Sequence, residues 1–450
     1  YAETHRENIS VFFFREEQMT HPMETKDNIV EKNIDVYKRN TCRLCGSQNL
    51  GLVMPMPASP VADGFLPAER KEESQKYYAL DLYQCQDCGL VHLRDVVNPE
   101  VIYRNYLYET TTSPGLVAHF QEYAADILER LDPSSGSLVV EIGSNDGTLL
   151  RFFKQAGMRV LGIDPARDIA QRATQAGVET WGEFFSVDVS EKIKEQKGAT
   201  DIIIANNVVA NIDHLDRLIE GIRNVLSPNG VFIFETGYLV DSVQNLVFDN
   251  VYHEHISYFS VKPLQAFFKE HGMELIRVDR VPTKGGSIRG TVQLKSGIRH
   301  VELSVDNLVN MEIERGFYQP DMYKEFTRNI DRERKKLLEL LKELKAQGKT
   351  IAGYGASHSV TTFLHYFEIA QYLDFIVDDN PRKHNTLSPG HHVPVFPSEE
   401  IYTRKADFIV ILAWRFYEQI MQKHAAYLKD VGAFIIPLPV LKVVKKGRIG

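Results

Sequence analysis

The sequence predicts an α/β protein: two doubly wound, mostly parallel sheets preceded by a small module built on four cysteines. Three observations predict it. Leu138-Val-Val-Glu-Ile-Gly-Ser-Asn-Asp-Gly-Thr-Leu-Leu150 reads as a buried strand, a Gly-bearing turn and the first turn of a helix. Lys349-Thr-Ile-Ala-Gly353-Tyr-Gly355-Ala-Ser357-His358 repeats that order near the end of the chain. All four cysteines fall in two CxxC pairs. Apolar strands alternating with helices make parallel sheets, because a crossover helix must cover each face.

In the first stretch Leu138, Val139, Val140 and Ile142 lack polar alternation, as a strand covered on both faces requires. Gly143 and Gly147 allow a sharp turn close to a ligand. Asp146 and Thr148 can cap the following helix. Arg159-Val-Leu-Gly-Ile-Asp164 ends the next strand on an acid, about 20 residues after the turn, where a ribose diol is hydrogen-bonded. The turn is ExGSNDG, not GxGxxG, and its own carboxylate repels a pyrophosphate. A nucleoside without phosphates fits it better than NAD, although an atypical dinucleotide turn is the alternative. S-adenosylmethionine is such a ligand, with its ribose on Asp164 and its cationic groups near Asp146. Gly143, Ser144, Asn145, Asp146, Gly147 and Asp164 are the expected cofactor contacts.

Length and composition bound the rest. The chain has 450 residues, too many for one core. A net charge of −8 disfavours a nucleic-acid partner. No apolar run reaches the ~18 residues that suggest a membrane span. Val11-Phe-Phe-Phe14 is too short for a secretory core and meets Arg15, Glu16 and Glu17 at once. The expected compartment is the cytoplasm, and the expected assembly is a monomer or a homodimer.

The chain divides, in expectation, into an irregular arm at 1–40, a zinc module at 41–110, a cofactor domain at 111–300, a helical connector at 301–348 and a second α/β domain at 349–450. Cys42-x-x-Cys45-Gly46 and Cys85-x-x-Cys88-Gly89 form two knuckles, and 39 residues separate Cys45 from Cys85. Two knuckles close a four-thiolate tetrahedron, the preferred structural zinc site, with no position open for chemistry. Redox pairs and disulfides are the alternatives. A strand is expected over Tyr77 to Tyr83. The Tyr- and Thr-rich run from Tyr103 to Ser113 can cover the ligand, with Tyr106 and Tyr108 the candidates, or serve as a packed linker. A helix over Leu116 to Leu131 leads into the opening strand.

After Asp164 the pattern gives a helix at Ala170 to Ala176 and a short turn at Gly182 to Phe185, where Phe184 can pack on an adenine. A strand Asp201 to Ala205 ends in Asn206 and Asn207, and a strand Val231 to Glu235 follows. Asn206 is a further cofactor candidate. Polar residues at 143–147, 164, 206–207 and 235–238 share the carboxyl edge, where such sheets place ligands. Beyond it lies Tyr252-His253-Glu254-His255. HEH lacks the spacing of a helical metal pair, so proton transfer explains the cluster better than a second metal or a polar loop. His can act as base, Glu can orient it, and Tyr can hold an oxyanion. Lys284 and Arg289, around a Gly turn, face an anionic substrate or form a solvated hairpin. Met311 to Leu344 reads as one amphipathic connector. The second Gly turn carries no carboxylate and suits a phosphate. Tyr354, Ser357 and His358 are its candidate contacts.

Paired CxxC, ExGSNDG, YHEH, GYGA, Asp378-Asp-Asn-Pro381 and Ala413-Trp-Arg-Phe416 in that order resemble the zinc-containing sugar C-methyltransferases. The resemblance spans roughly residues 40 to 445. It implies a class I methyltransferase sheet, an N-terminal zinc domain and a C-terminal domain that takes a nucleotide-linked, dTDP-type, 4-keto-deoxysugar. A base removes the proton at C3 beside the ketone, and the enolate carbon attacks the sulfonium methyl. Tyr252, Glu254, His255 and Asn207 match the family's catalytic positions, with His255 the base. His253 and Asn211 join the expected substrate contacts. Two departures bear on the substrate. Asn211 stands where the family commonly has His, and Ser359 and Val360 replace the Lys-Gly of GYGAxxKG. A methyltransferase of a non-sugar metabolite is the alternative function, and a non-enzymatic zinc and nucleotide-binding scaffold a third.

Overall fold

The structure, a computed structural model, describes residues 35–103, 110–112, 114–446 and 448–449. Tyr106 and Tyr108 lie outside the described residues.

The first sheet has seven strands: β1 (Leu138–Ile142), β2 (Arg159–Ile163), β3 (Thr180–Trp181), β4 (Thr200–Asn206), β5 (Leu226–Gly237), β6 (Met273–Val281) and β7 (Ser287–Leu294). Their spatial order is β6-β7-β5-β4-β1-β2-β3. From β5 to β3 the neighbours are parallel. β7 is antiparallel to both β5 and β6. The order reverses at β1 and β4, which opens a crevice at their carboxyl ends. Alternate residues of each strand feed two cores, so the uninterrupted apolar runs are satisfied on both faces. Val139, Ile202, Ile204, Val231 and Ile233 meet Phe120, Tyr123 and Ile127 of α1 (Pro114–Leu131) and Leu149, Leu150 and Phe153 of α2 (Thr148–Gln155). Val140, Ile203, Ala205, Phe232 and Phe234 face the other way.

The expected connector is two helices, α3 (Leu303–Glu314) and α4 (Pro320–Ala346), rather than one. Gly316, at φ +72°, ends the first and Pro320 opens the second. Along α4, Tyr323, Phe326, Ile330, Leu337, Leu341 and Leu344 bury one stripe against the cysteine module and the last domain. That domain has five parallel strands, β8 (Ile351–Tyr354), β9 (Phe375–Asp378), β10 (Pro394–Pro397), β11 (Phe408–Ile411) and β12 (Ala433–Ile436), in the order β12-β11-β8-β9-β10. α5 (His358–Phe367) follows its Gly turn.

The cysteine module is woven into both neighbours. Its Val91–Leu93 strand pairs with Ser257–Tyr258, just past the YHEH cluster. Its Leu66–Pro67 strand pairs with Thr386–Leu387 at one edge of the second sheet. The strand expected at Tyr77 to Tyr83 begins only at Leu82 and runs to Cys85, because Tyr78 makes a single bridge to Ser59 instead.

Arg289, expected to face a substrate, is buried inside β7. Its guanidinium bonds Glu235 of β5 at 3.0 and 3.2 Å and lies 3.6 Å over the Tyr123 ring. Glu235 is fully buried and also takes His119 at 2.9 Å and the Thr283 hydroxyl at 2.9 Å. Burial alone would raise the Glu235 carboxyl, but His119 and Arg289 outweigh it and hold the group below the usual carboxylate range. Glu235→Ala leaves the buried Arg289 guanidinium with only the solvent-exposed Asp126 carboxylate at 3.3 Å. It should cost about 3–5 kcal/mol in denaturant unfolding at pH 7. A depressed folded-state carboxyl contributes stability above its unfolded value, 4.5, that is lost as pH falls through the folded one. The wild-type advantage over the variant should therefore shrink below that pH.

Candidate active site and metal centre

Cys42, Cys45, Cys85 and Cys88 converge with all four sulfurs within 4.8 Å of one another. Cys42 Sγ lies 3.5 Å from Cys88 Sγ, and Cys45 Sγ 3.6 Å from Cys85 Sγ. A tetrahedron with Zn–S bonds of ~2.3 Å needs sulfurs about 3.8 Å apart. Each knuckle has the same backbone. Gly46 N donates to Cys42 O and Gly89 N to Cys85 O, at 3.0 and 2.9 Å. Both glycines have left-handed φ, +71° and +91°, which lets the chain wrap the metal. No disulfide joins them. The donor set fits zinc, and among the described residues no second cluster of this kind occurs.

The turn after β1 is drawn close to the sheet. A Cβ on Gly143 would meet Val208 Cγ2 at 2.2 Å, and its φ is +71°. Asp164 receives the Asn145 amide at 2.8 Å on Oδ2 and the Ala166 amide at 2.9 Å on Oδ1. Burial pushes Asp164 above the usual carboxylate range, against the pull of those two amides. Beneath the turn, burial and the charges of Asp164 and Asp146 push Glu141 well above that range. Asn206, 7% exposed, has neither Oδ1 nor Nδ2 partnered, and buried Ser144 Oγ has no partner either. Unpaired buried polar atoms beside a Gly turn suit the polar groups of a ligand. Ser144, Asn206 and Asp164 fit the hydroxyls and base of an adenosine. Phe184 is half-buried in the loop after β3.

Asp146 meets the first residue of α2, the capping role its position suggests. Its carboxylate already takes the Thr148 amide and hydroxyl at 3.1 and 2.6 Å and the Thr111 amide at 2.9 Å. It is a helix cap and a tether. The Thr110 amide likewise bonds Asn145 Oδ1 at 2.9 Å. Thr110 and Thr111 are thereby bonded to the turn after β1.

The YHEH cluster meets the end of β4. Ile256 N bonds Ala210 O at 2.9 Å, which sets His255 beside the 206–211 loop. Asn207 there takes a left-handed φ of 55° and donates its amide to Glu235 O at 2.7 Å. His255 Nδ1–H donates to Asn250 O at 3.1 Å, so Nε2 keeps its lone pair and accepts from Tyr252 O–H at 3.0 Å. Burial first, then the Lys284 charge, push His255 down to about 3, and it is a neutral imidazole at pH 7. Burial and Glu254 push the Tyr252 phenol well above its usual range. His358, from the start of α5, faces Glu254 at 3.4 Å and stacks on Tyr252 at 5.9 Å. Both α/β domains thus contribute to one cleft.

Two expected substrate contacts point elsewhere. His253 is buried with Nε2 3.3 Å from Tyr78 O and its ring edge-on to Tyr78, because residues 252–255 form a turn, closed by the His255 N to Tyr252 O bond at 2.9 Å, that sends the two histidines in different directions. Tyr354 is a strand residue whose hydroxyl is held by Asp379 and His424, both at 2.9 Å. Ser357 is exposed and meets Ser359 Oγ at 3.1 Å. Three residues were missed. Tyr103 lies against Asn211 and Glu254, and it opens the same Tyr-rich run that drew attention to Tyr106. Asn250 acts through its backbone carbonyl, which leaves no side-chain signal. Arg415 bonds Asp249 at 2.6 Å and Ser359 at 3.1 Å. AWRF was noted only as a motif.

Residues 42–103 match a family described as a zinc binding domain, 116–278 a methyltransferase domain and 282–439 a C-methyltransferase C-terminal domain. C-methyltransferase NovU of Streptomyces niveus is 31% identical over 404 residues, 90% of this chain and 96% of that protein. The mitochondrial ubiquinone biosynthesis O-methyltransferase of Mus musculus is 27% identical over 109 residues, 23% of this chain and 30% of that protein. The magnesium protoporphyrin IX methyltransferase of Synechocystis PCC 6803, solved with bound SAM, aligns at TM-score 0.31 and 14% identity, over 42% of this chain and 85% of that one.

Elemental analysis should find one zinc per chain, lost on Cys85→Ser. Asp164→Ala removes a charged acceptor worth ~1.5–3 kcal/mol, so calorimetry should show S-adenosylmethionine binding weakened roughly 10- to 100-fold.

Proposed function

We propose a substrate and a proton path for a chain that belongs to the family of zinc-containing C-methyltransferases. S-adenosylmethionine and zinc are its cofactors. The substrate we assign is a nucleotide-linked 4-keto-deoxysugar in its dTDP form, methylated at C3 beside the ketone. One observation carries the reading: the Tyr252–His255 pair, with its tautomer set by Asn250 O, stands at the carboxyl edge of the cofactor sheet. A methyl acceptor with a lone pair on oxygen or nitrogen needs little more than positioning. A carbon acid needs its proton removed and the resulting charge held.

The cofactor supplies an electrophilic methyl group on a sulfonium. The residues do the rest. His255 Nε2 draws the Tyr252 proton as the phenol oxygen takes the substrate C–H proton, so the pair gains one proton and Tyr252 stays neutral. Asn250 O holds the opposite side of the ring and the imidazolium that forms. Glu254 and His358 join the two domains across the cleft. Tyr103 and Asn211 line the wall beside them.

The second domain supports a nucleotide. Asp378, at the end of β9, receives the Ala356 amide of its Gly turn at 2.6 Å and the Asn380 amide at 2.7 Å. This repeats the bonds that Asp164 makes with Asn145 and Ala166. An acid so placed at the end of the second strand is the group that meets a ribose in such folds. Arg415, at the start of α5 through Ser359, adds positive charge for a diphosphate.

Mass spectrometry of the enzyme with S-adenosylmethionine and a panel of nucleotide-linked 4-keto-sugars should show one methyl added at carbon. Tyr252→Phe and His255→Gln should each lower turnover by about 10²–10⁴ with cofactor binding unchanged. Full activity in Tyr252→Phe would exclude the relay, and methylation of none of the panel would exclude the substrate.

A further inference from the structure

We propose that the Lys284 ammonium is a catalytic group: it holds the oxyanion that forms when the substrate loses its proton to the Tyr252–His255 pair. The inference rests on the keto-sugar reading above, and it names the electrophile that reading lacks. Tyr252 gives its hydrogen bond to His255. Asn211 carries neither charge nor a transferable proton. A neutral amide N–H can hold an oxyanion, but a cation beside it holds the charge more strongly.

Lys284 is held where such a group belongs. It sits in the turn between β6 and β7 with a left-handed φ of 53°, a conformation that residues with a Cβ adopt only when their surroundings impose it. Four tethers impose it. Thr283 Oγ1 bonds Glu235 at 2.9 Å, and Tyr238 N bonds Gly286 O at 3.1 Å. Asn245 Nδ2 bonds Gly285 O at 3.3 Å, and Asn250 Nδ2 bonds Lys284 O at 3.4 Å. Gly286 is pressed so closely that a Cβ there would lie 2.1 Å from Asp241. Asn250 is the notable tether. Its carbonyl sets the His255 tautomer while its amide holds the Lys284 backbone, so one residue places both base and cation.

The ammonium itself makes no hydrogen bond or ion pair among the described residues, although its backbone is fixed on every side. It stands in the field of Glu235 and Glu254, and it presses on His255. Solvent reaches the side chain, and the shared Asn250 tether sets its backbone close to the His255 ring. Arg415 is differently committed, to Asp249 and to Ser359 at the second domain's turn. The two cations thus divide: Arg415 toward the nucleotide end, Lys284 toward the proton-transfer pair.

The proton step balances. The C–H bond breaks, its electron pair becomes the C=C of the enolate, the carbonyl π pair moves to oxygen, and the proton rests on the pair. Lys284 loses no proton in this scheme. It supplies charge, as a preorganised oxyanion donor does, and removing one such donor costs about 10²–10³ in rate.

The test is exchange of the substrate α-proton in D2O, followed by NMR on a dTDP-4-keto-6-deoxysugar without cofactor. Lys284→Met should lower the maximal exchange rate ~100-fold or more, with KM within about 3-fold of wild type and S-adenosylmethionine binding unchanged. Lys284→Arg, which keeps the charge, should recover at least a tenth of the wild-type rate. Wild-type exchange in Lys284→Met overturns the inference. So does a loss confined to KM, which would make Lys284 a phosphate contact. An Arg variant as dead as the Met variant, with both binding cofactor normally, also overturns it, because that outcome marks Lys284 as the base. A wild-type enzyme that exchanges no proton on any 4-keto sugar nucleotide overturns the substrate reading first, and this inference with it.

Discussion

One buried guanidinium ties the metal to the cleft. Arg43 lies between Cys42 and Cys45 of the first knuckle and is 3% exposed. Its Nε bonds Asp213 Oδ1 at 2.7 Å, two residues past Asn211. Its Nη1 reaches the Leu93 carbonyl, the Ile256 carbonyl at 3.2 Å and His92 Nδ1 at 2.8 Å. Burial and the Arg43 charge push His92 down to about 3, so its neutral ring can accept that N–H. Ile256 is the residue after His255. A charge this deep has no alternative partner, and breaking such a pair costs about 3–5 kcal/mol. The four-thiolate site therefore does more than fold its own module. It fixes the backbone that carries Arg43, and Arg43 fixes both walls of the catalytic segment.

Two Gly turns then divide the ligands between two sheets with related geometry. Asp164 and Asp378 hold their own turns by the same pair of amide bonds, in the same register. What differs is what surrounds them. The first turn sits over the acids Glu141 and Asp146, with Thr111 closing on it. The second is flanked by Arg415 and His358. His358 of the second α/β domain and Glu254 of the first meet at 3.4 Å, so the two domains share this contact.

Much of this was legible because it is periodic or punctuated. Strands buried on both faces show as unbroken apolar runs, and both knuckles show as CxxCG. The family resemblance rested on such segments. The rest failed for physical reasons. Arg289 reads as a surface cation, yet its charge is spent on Glu235, a partner 54 positions earlier. Sequence alone cannot tell β7 from an edge hairpin, because its alternation of polar and apolar residues is the same whether the polar face meets water or a buried acid. His253 and His255 look equivalent in YHEH, but their opposite facing sends one ring to Tyr78 and the other to Tyr252. The tautomer of His255 depends on a main-chain carbonyl that any residue at 250 would supply. The break between α3 and α4 was visible in Gly316 and Pro320, and the continuous charge pattern obscured it.

The electrostatics of the cleft follow from the same arrangement. Burial depresses His255 most, and Lys284, His358 and Arg415 depress it further. Each of those neighbours carries or can carry positive charge, and none is neutralised by the Tyr252–His255 pair. The sign of what an anion does there is therefore fixed. In the proposed reaction, a diphosphate beside Arg415 and charge gathering on an oxygen beside Lys284 would both offset cations that oppose protonation of His255. The imidazole becomes a stronger base as the substrate's own charge arrives and as its enolate forms.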